Sequence, residues 1–330
     1  MDEVETQSRF LLDLYRGASE QSAEQFQDWA LERLAQDLPF DSALWASASA
    51  TPAGPVGHIA HLYRQPLQML VEYETIKHLD TLNAESLQNP GKTIRVVTRA
   101  SLPQATHAYM GRWGLEQALT TLEYEAQIAV FAVISLYRAA RDKPFSEADA
   151  HFKQSVFPHL VEANSRNKLT HLSSRAQFGI PSHWHSAAVD SQGLVRHAEA
   201  GFKALAVREW PQWRGPYLPD PLRELIVIGA NSAAMPLVSV ARLSRFSDMT
   251  LVQLRERHAI DDLPERMRQV ARLAAVGHSN KRIAAMLDIS PNTVRNHLVE
   301  AYERLAVKNK AEMAGLVLRF EADLTAGGDG

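Results

Sequence analysis

The 330-residue chain contains no cysteine, and this absence removes several classes of chemistry together. It excludes disulfide bonds, thiolate nucleophiles, cysteine-bound zinc and cysteine-ligated iron–sulfur clusters. No run of eighteen apolar residues is present, so no membrane-spanning helix is expected. The acidic start, with Asp2, Glu3 and Glu5, differs from the basic opening of a secretory signal peptide. We therefore expect a cytoplasmic protein that makes no membrane contact.

The sequence also lacks the motifs of common enzyme classes. There is no glycine-rich phosphate loop, no GxSxG and no HExxH. No acidic cluster with a lysine follows a strand near the N-terminus, so a phosphoryl-accepting receiver domain is not expected. Accordingly, no catalytic residue, cofactor or metal site is predicted, and the chain is not expected to be an enzyme.

Charge is distributed unevenly along the chain. Residues 263–320 contain ten Lys or Arg and five Asp or Glu, a net charge of +5, whereas the whole chain has −3. The remaining 272 residues therefore carry −8. Apolar residues make up 45% of the chain, enough to form the cores of the two or three domains that this length predicts. A small basic module joined to an acidic body is typical of a soluble protein that binds phosphate groups.

Local helix signals are strongest in this basic module. Ser279 is a good N-cap for one short helix, and Ser290 followed by Pro291 is a good start for the next. Gly277 suits the left-handed residue that ends a preceding helix over residues 264–276. A fourth helix is predicted over residues 311–320. Two short helices joined by a tight turn, with a supporting helix on each side, predict a helix-turn-helix.

The second of the two short helices has two different faces. At about 100° per residue, one face is apolar and is expected to pack inward; it comprises Val294, Leu298, Ala301 and Leu305. The opposite face is largely polar and is free to enter a groove; it comprises Asn292, Arg295, Asn296, Val299 and Glu303.

Residues 263–320 resemble the DNA-binding domain of LuxR/FixJ-type transcription regulators. The resemblance lies in the run from Gly277 to Ala284 and in the run from Leu287 to Leu298. It implies a bacterial protein that binds double-stranded DNA. It also implies that base edges are read by Asn292, Arg295, Asn296 and Val299. The residues that it implies for phosphate contacts are Ser279, Lys281, Thr293, Lys308 and Lys310.

Some positions depart from the family pattern. Arg282 replaces a common glutamate, and Asp288 and Ala306 replace common glycines. Aspartate tolerates the left-handed region better than most residues. Ala306 would either avoid that region or be strained.

The patterning of the rest of the chain predicts an α+β sensor region, with antiparallel sheets and helices, ahead of an all-α four-helix domain. Residues 1–174 resemble a GAF-like domain, and residues 175–256 resemble a PAS-like domain. Residues 257–263 are predicted to be a linker, 264–321 the helix-turn-helix domain, and 322–330 a flexible tail. Two alternatives stay open. Residues 175–256 could be an extension of the first domain, and Tyr73 with Asp80 has a spacing similar to that of the acyl-homoserine-lactone domain of quorum-sensing LuxR proteins.

Histidines and tryptophans in the second unit suggest a competing interpretation. His183 and His185 form an HxH pair that would lie on one face of a strand, where His197 could face them as a third metal ligand. No cysteine or carboxylate completes the set, so metal or haem binding is the minor alternative. Trp184, Trp210 and Trp213 could line a ligand pocket, although such aromatics are more often core residues.

These patterns predict a sequence-specific transcriptional regulator. Its N-terminal region is expected to sense a small molecule or a partner and to control DNA binding by the C-terminal domain. A homodimer on an inverted-repeat operator is expected, and RNA polymerase is a further candidate partner. The alternative is a metal-dependent enzyme or a haem or metal sensor in residues 1–255, with an autoregulatory DNA-binding tail.

Overall fold

The computed structural model describes residues 3–51, 54–140, 143–175, 183–237, 239–246 and 249–321. Two antiparallel five-stranded sheets with packed helices precede a domain of four helices. The predicted α+β region followed by an all-α domain is therefore confirmed. The predicted tail lies outside the described residues, as does most of the junction between the two predicted sensor units. None of the helices in the described ranges combines the length and hydropathy that a bilayer span requires.

The first unit consists of one five-stranded sheet with helices packed on both of its faces. Its helices are α1 (Glu3–Glu20), α2 (Phe26–Asp37), α3 (Gln68–Ile76), α4 (Thr81–Gln88), α5 (His107–Arg112) and α6 (Glu147–Arg175). Its strands are β1 (Ser42–Thr51), β2 (Gly54–Tyr63), β3 (Thr93–Val96), β4 (Gln117–Glu125) and β5 (Val130–Arg138).

The second unit has its own sheet, and the helical domain follows it directly. The strands are β6 (His185–Asp190), β7 (Val195–Ala198), β8 (Ser232–Ala234), β9 (Ser239–Phe246) and β10 (Met249–Glu256). The helices of this unit are α7 (Ala200–Glu209) and α8 (Asp220–Ile228). The C-terminal helices are α9 (Glu265–Ala275), α10 (Asn280–Leu287), α11 (Pro291–Arg304) and α12 (Lys310–Glu321).

The two sheets share one topology. The first has the strand order β2-β1-β5-β4-β3, and the second has β7-β6-β10-β9-β8. Counted from its own first strand, each sheet therefore has the order 2-1-5-4-3. A complete second sheet distinguishes residues 183–256 from a simple extension of the first sheet.

Helix α6 links the two units. Its Val156, Phe157 and Leu160 are buried in the first core with α1, α2 and one face of the first sheet. Near its C-terminus, Leu169 instead packs with Ala188 and Leu251 of the second sheet. The cores are also in contact elsewhere, because Ile128, in the turn between β4 and β5, and Val130, the first residue of β5, lie in the core of the second unit.

The sequence predictions differ from the structure in two places in the first unit. The sequence pattern over residues 4–38 predicts helix throughout, but the structure has two helices there, because the chain turns between Glu20 and Phe26. Helices α3, α4 and α5 were not predicted. Each is short and presents few buried residues, so its apolar periodicity is weak. Together they lie over the face of the sheet opposite α6.

Candidate nucleic-acid interface and sensor cavities

Helix α11 begins at a well-formed cap. The Ser290 hydroxyl accepts a hydrogen bond from the Thr293 backbone N–H at 3.0 Å, and Pro291 occupies the first helical position. The predicted apolar face is buried in the core of the C-terminal domain and comprises Val294, Leu298, Ala301 and Leu305. The cap and this buried face fix both the start and the rotation of the helix.

The opposite face of α11 is exposed to solvent. Asn292, Arg295 and Asn296 are exposed, and Val299 retains 50% of its accessible surface. In the described part of the chain, none of the three polar side chains has an intramolecular hydrogen bond or ion pair. Because arginine and asparagine lose hydrogen bonds to water when they enter a groove, base edges would have to replace those bonds.

Three of the predicted phosphate contacts, Ser279, Lys281 and Lys310, are close together. The Lys310 ammonium donates a hydrogen bond to the His278 carbonyl at 3.1 Å, which places the start of α12 beside Ser279. Ser279 caps α10 by accepting from the Arg282 N–H at 3.3 Å. The exposed Lys281 lies in the first turn of the same helix. The start of α10 therefore combines unsatisfied backbone N–H groups with two lysines, a favourable site for a phosphate.

The other two predicted phosphate contacts lie apart from this cluster. Thr293 lies at the start of α11, and its hydroxyl is hydrogen-bonded to the Ser290 hydroxyl at 2.8 Å. Lys308 is exposed just before α12, and its backbone N–H donates to Glu312 at 2.8 Å. Among the described contacts, none links Lys308 with Lys281 or Thr293.

The three turns of the domain use left-handed residues. Gly277 has φ 96°, and Asp288, at the end of α10, has φ 52°. Ala306, just after α11, has φ 53°. Because its Cβ then crowds the following carbonyl, this alanine carries a strain of about 1–2 kcal/mol.

The predicted linker is an ordered junction. Residues Ala259–Asp262 form a 3₁₀-helix, and Ile260 and Leu263 are buried in the core of the C-terminal domain. These two apolar side chains explain why the segment folds onto the helices. A hinge between the sheet and the helical domain is therefore shorter than residues 257–263.

A buried ion pair joins this junction to the second sheet. Arg255, in β10, is 1% exposed and makes two hydrogen bonds of 2.7 Å to the carboxylate of Asp261. Trp184 packs against its guanidinium at 5.1 Å from the ring centre. From the other side, Arg268 of α9 donates to the Asp261 and Leu263 carbonyls at 2.8 and 2.9 Å. Together these contacts connect β10, the 3₁₀-helix and α9.

The electrostatics of Asp261 follow from this setting. Burial by itself would raise the pKa of the carboxyl. Hydrogen bonds from Arg255 and from the His258 N–H, together with the positive charges of Arg255 and Arg268, outweigh it and lower the pKa of Asp261 below its usual value. Asp261 is therefore ionised and paired at neutral pH.

A cavity of about 690 Å³ separates the first sheet from α3, α4 and α5. We call it the Tyr73 cavity; its walls include Leu44, Tyr73, Asp80, Tyr109, Phe131 and Tyr137. A volume of this size is typical of sites for small organic molecules. Its mixture of apolar walls and a few polar groups is also typical of such sites.

The polar groups of the Tyr73 cavity are hydrogen-bonded to one another or to the backbone. The Tyr73 hydroxyl donates to Asp80 at 2.6 Å, and Asp80 also caps α4 by accepting from the Asn83 N–H at 3.0 Å. The Tyr109 hydroxyl donates to the Met69 carbonyl at 3.1 Å. Burial, then the nearby Asp80, raises the pKa of Tyr73. Tyr73 and Asp80 therefore line the cavity as a hydrogen-bonded pair.

The histidine cluster of the competing interpretation does not assemble. His197 pairs in register with Ala188, three residues along β6 from His185, so about 10 Å of strand separates them. The described residues contain no group of three His, Asp or Glu side chains arranged to hold a metal ion. The tryptophans are largely core residues. Trp184 is 4% exposed and packs against the guanidinium groups of Arg242 and Arg255, and Trp213 is 8% exposed in the second core.

The C-terminal domain also matches a known family. Residues 261–317 match the model of the GerE family, described as bacterial regulatory proteins of the luxR family. The C-terminal domain is a luxR-family helix-turn-helix domain. The match begins at Asp261, the residue that pairs with Arg255. The luxR-family domain thus includes the second half of the predicted linker.

Curated relatives match over parts of their length. YhjB of Escherichia coli K12, named as an HTH-type transcriptional regulator, is 33% identical over 95 residues, which are 29% of this chain and 45% of YhjB. The transcriptional regulatory protein UhpA of Escherichia coli K12 is 46% identical over 54 residues, which are 16% of this chain and 28% of UhpA. The chain therefore spans less than half the length of these relatives.

Comparison with solved structures gives longer matches at low identity. SdiA in complex with octanoyl-rac-glycerol has a TM-score of 0.39 and 15% identity, covering 97% of this chain and 96% of SdiA. The N-acylhomoserine-lactone-dependent LuxR-family factor CepR2 of Burkholderia cenocepacia has a TM-score of 0.40 and 13% identity. That match covers 51% of this chain and 99% of CepR2.

Proposed function

We propose that this protein is a sequence-specific DNA-binding transcriptional regulator whose N-terminal units sense a small molecule and control the luxR-family domain. The observation that carries the proposal is the exposed face of α11, whose Asn292, Arg295 and Asn296 have no intramolecular partner in the described part of the chain. The net charge of +5 over residues 263–320 supports it, because phosphate neutralisation provides much of the affinity for DNA.

The sensing role rests on the Tyr73 cavity. Its volume of about 690 Å³ and its tyrosine and aspartate groups fit a small organic molecule that has both apolar and hydrogen-bonding parts. A ligand can shift DNA binding only by its difference in affinity for two arrangements of the protein. The proposed route from the sensor to DNA passes through the second sheet and the Arg255–Asp261 pair. DNA binding would place the protein in the bacterial cytoplasm.

We propose no enzymatic role. The relatives reported above are named as transcriptional regulators. No arrangement of the described side chains favours the alternative of a metal-dependent enzyme in residues 1–255.

The first prediction separates base reading from phosphate binding. Arg295→Ala is expected to relax the sequence preference, because an arginine paired bidentately with guanine discriminates by about 1–3 kcal/mol. Lys281→Ala is expected to weaken binding to all sequences equally and to reduce the salt dependence by about one counterion. Selection from a randomised DNA library, followed by affinities at several salt concentrations, measures both effects.

Lys92→Ala is the matched control for this experiment. Lys92 is an exposed lysine of the first unit, so its loss removes one positive charge outside the proposed interface. It should change neither the selected sequences nor the salt dependence. Identical profiles for Arg295→Ala and Lys281→Ala would refute the assignment of their roles.

The second prediction concerns assembly. One reading helix makes too few base contacts for tight binding, so a homodimer on an inverted repeat is proposed, with half-site centres about 10 bp apart. The exposed face of α12 contains Ala311, Gly315 and Leu318, the last 48% exposed, and is suited to helix–helix contact. Footprinting should show two protected half-sites, and sedimentation should show a dimer at binding concentrations.

Substitution of Leu318 tests the role of α12. Leu318→Asn should reduce the affinity for DNA with two half-sites and leave the affinity for a single half-site unchanged. Val276→Asn is the control, because Val276 is a comparably exposed apolar residue after α9. Protection of a single half-site by a monomer is the outcome that contradicts the proposed assembly.

A further inference from the structure

A second cavity, of about 830 Å³, lies where the two five-stranded units meet. We call it the Arg196 cavity after its half-buried arginine. The polar groups that concern us come from four elements: His58 from β2, Lys168 from α6, Asp190 from β6, and Arg196 with His197 from β7. The site lies where α6 and the turn between β4 and β5 meet the second unit.

Both carboxylate oxygens of Asp190 already accept hydrogen bonds within the protein. One carboxylate oxygen accepts from the Gln192 and Leu194 N–H groups, both at 2.9 Å, and closes the turn between β6 and β7. The other oxygen accepts from one nitrogen of Arg196 at 2.9 Å. Asp190 therefore has little remaining capacity to neutralise further cations.

Donor groups of two cationic side chains are left without an acceptor in the described structure. The Nη1 of Arg196 is buried and has no hydrogen-bond acceptor. Lys168 has no ion pair or hydrogen bond among the described residues, and burial lowers the pKa of its ammonium. A buried donor without an acceptor carries a desolvation cost. Such a cost is recovered when an anion occupies the site.

The two histidines add further donors around the same point. His58 is hydrogen-bonded to the Ser47 and Ser49 hydroxyls, at 3.3 and 2.6 Å. Burial, then the neighbouring Arg196, lowers the pKa of His58 to about 4. Burial, then Lys168, lowers the pKa of His197 to about 3. Both imidazoles are therefore neutral at pH 7 and can serve as hydrogen-bond partners.

Glutamates also line the Arg196 cavity, but two of them are already paired with cations, one of them with Lys203 of the same wall. Glu125 binds the Lys203 ammonium at 2.7 Å, and Glu162 lies 3.6 Å from Arg166. Burial, then the charge of Glu125, raises the pKa of Glu123, and Glu24 is exposed. Asp190 is the carboxylate that acts on His58. The end of the cavity near Arg196 therefore favours negative charge.

The wall of the cavity also contains apolar residues, with Trp45, Val130, Val161 and Met249 among them. We propose that the Arg196 cavity binds a small organic anion. Its carboxylate or phosphate would accept hydrogen bonds from Arg196 Nη1 and from the Lys168 ammonium. Its apolar part would contact the apolar side chains of the cavity wall. The ligand would then bridge the two units, since Lys168 belongs to the first unit and Arg196 to the second.

The test measures binding to the full chain by titration calorimetry at pH 7. The probes are hexanoate, hexyl phosphate and the uncharged hexanamide, which share one chain length. At least one anion should bind with saturation and at least about tenfold more tightly than the amide, as a charge-assisted hydrogen bond predicts. The comparison of hexanoate with hexyl phosphate identifies the preferred head group.

Variants locate the binding. Lys168→Gln should reduce the affinity for the preferred anion at least about tenfold. This substitution breaks no bond of the β6–β7 turn, so it is more informative than Arg196→Gln, which should reduce affinity equally but also removes the pair with Asp190. Tyr73→Phe, in the other cavity, and Lys92→Gln, on the surface, should leave the affinity unchanged.

The proposal is overturned if neither anion binds, if hexanamide binds as tightly as both anions, or if Lys168→Gln has no effect. It is also overturned if Tyr73→Phe weakens binding and Lys168→Gln does not, since the probe would then occupy the Tyr73 cavity. No DNA is used, so the result does not depend on the proposed function.

Discussion

Replacing Asp261 with alanine is expected to lower the free energy of unfolding by about 3–5 kcal/mol, because the substitution leaves a buried charge without its partner. Arg255 is 1% exposed, so water cannot replace the lost carboxylate. The loss also removes the acceptor of the His258 N–H. Urea denaturation at pH 7, followed by tryptophan fluorescence, measures the change, since Trp184 packs against Arg255.

The neighbouring residue is a matched control. Asp262 pairs with Arg257, but its side chain is 61% exposed, so Asp262→Ala should cost less than about 1 kcal/mol. Equal effects of the two substitutions would show that the junction is not held by the buried pair. Because folding lowers the pKa of Asp261, its contribution is present above about pH 4. It is lost as pH falls through the folded-state pKa.

Removing residues 1–257 is expected to abolish any response of DNA binding to a small molecule. The remaining fragment keeps Ile260 and Leu263, which belong to the core of the luxR-family domain, so it should fold and bind DNA. Its affinity should be lower than that of the full chain if the N-terminal units contribute dimer contacts. Its response should be absent, because both cavities are lost with those units.

The measurement compares the two proteins on one operator fragment. A panel of metabolites is first screened for compounds that change the DNA affinity of the full chain, and the active compounds are then tested on the fragment. A fragment that begins at Pro264 is a useful control, because it lacks Ile260 and Leu263 and should be less stable. If an active compound still changes the DNA affinity of the fragment that begins at His258, sensing occurs within the luxR-family domain. The proposal that the N-terminal units sense the small molecule is then wrong.

The helix-turn-helix could be predicted from sequence because its signals are local. Ser279 and Ser290 cap helices within three residues of themselves, and Pro291 fixes its own backbone. The left-handed Asp288 was also foreseen from its residue type, and Ala306 adopts the strained alternative. The residues proposed to contact DNA remain predictions; Asn292, Arg295 and Asn296 lie on the exposed face of α11.

The junction and the cavities could not be predicted in the same way. Arg255 and Asp261 are six residues apart, yet their pairing depends on how the sheet meets the helices, which no local pattern encodes. The Arg196 cavity combines His58, Lys168 and Arg196 from distant parts of the sequence. The most useful sequence signal was the pair Tyr73 and Asp80, whose spacing suggested a ligand site and whose side chains do line one cavity.

The shared topology of the two sheets also could not be predicted from the sequence. No internal repeat is visible in the sequence, but both sheets have the strand order 2-1-5-4-3. Alternation of apolar and polar residues specifies a strand without specifying which residues are used. A repeated topology can therefore be present when sequence identity between the units is absent.

Near the end of α6, three consecutive residues face three different neighbours. Asn167 donates to the Ala18 and Gln21 carbonyls at 3.0 and 2.7 Å, Lys168 lines the Arg196 cavity, and Leu169 packs on the second sheet. Side chains one position apart on a helix differ by about 100° in direction. A rotation of α6 by even a small angle would therefore alter all three contacts together. This one turn of α6 therefore contacts α1, the Arg196 cavity and the sheet that precedes the luxR-family domain.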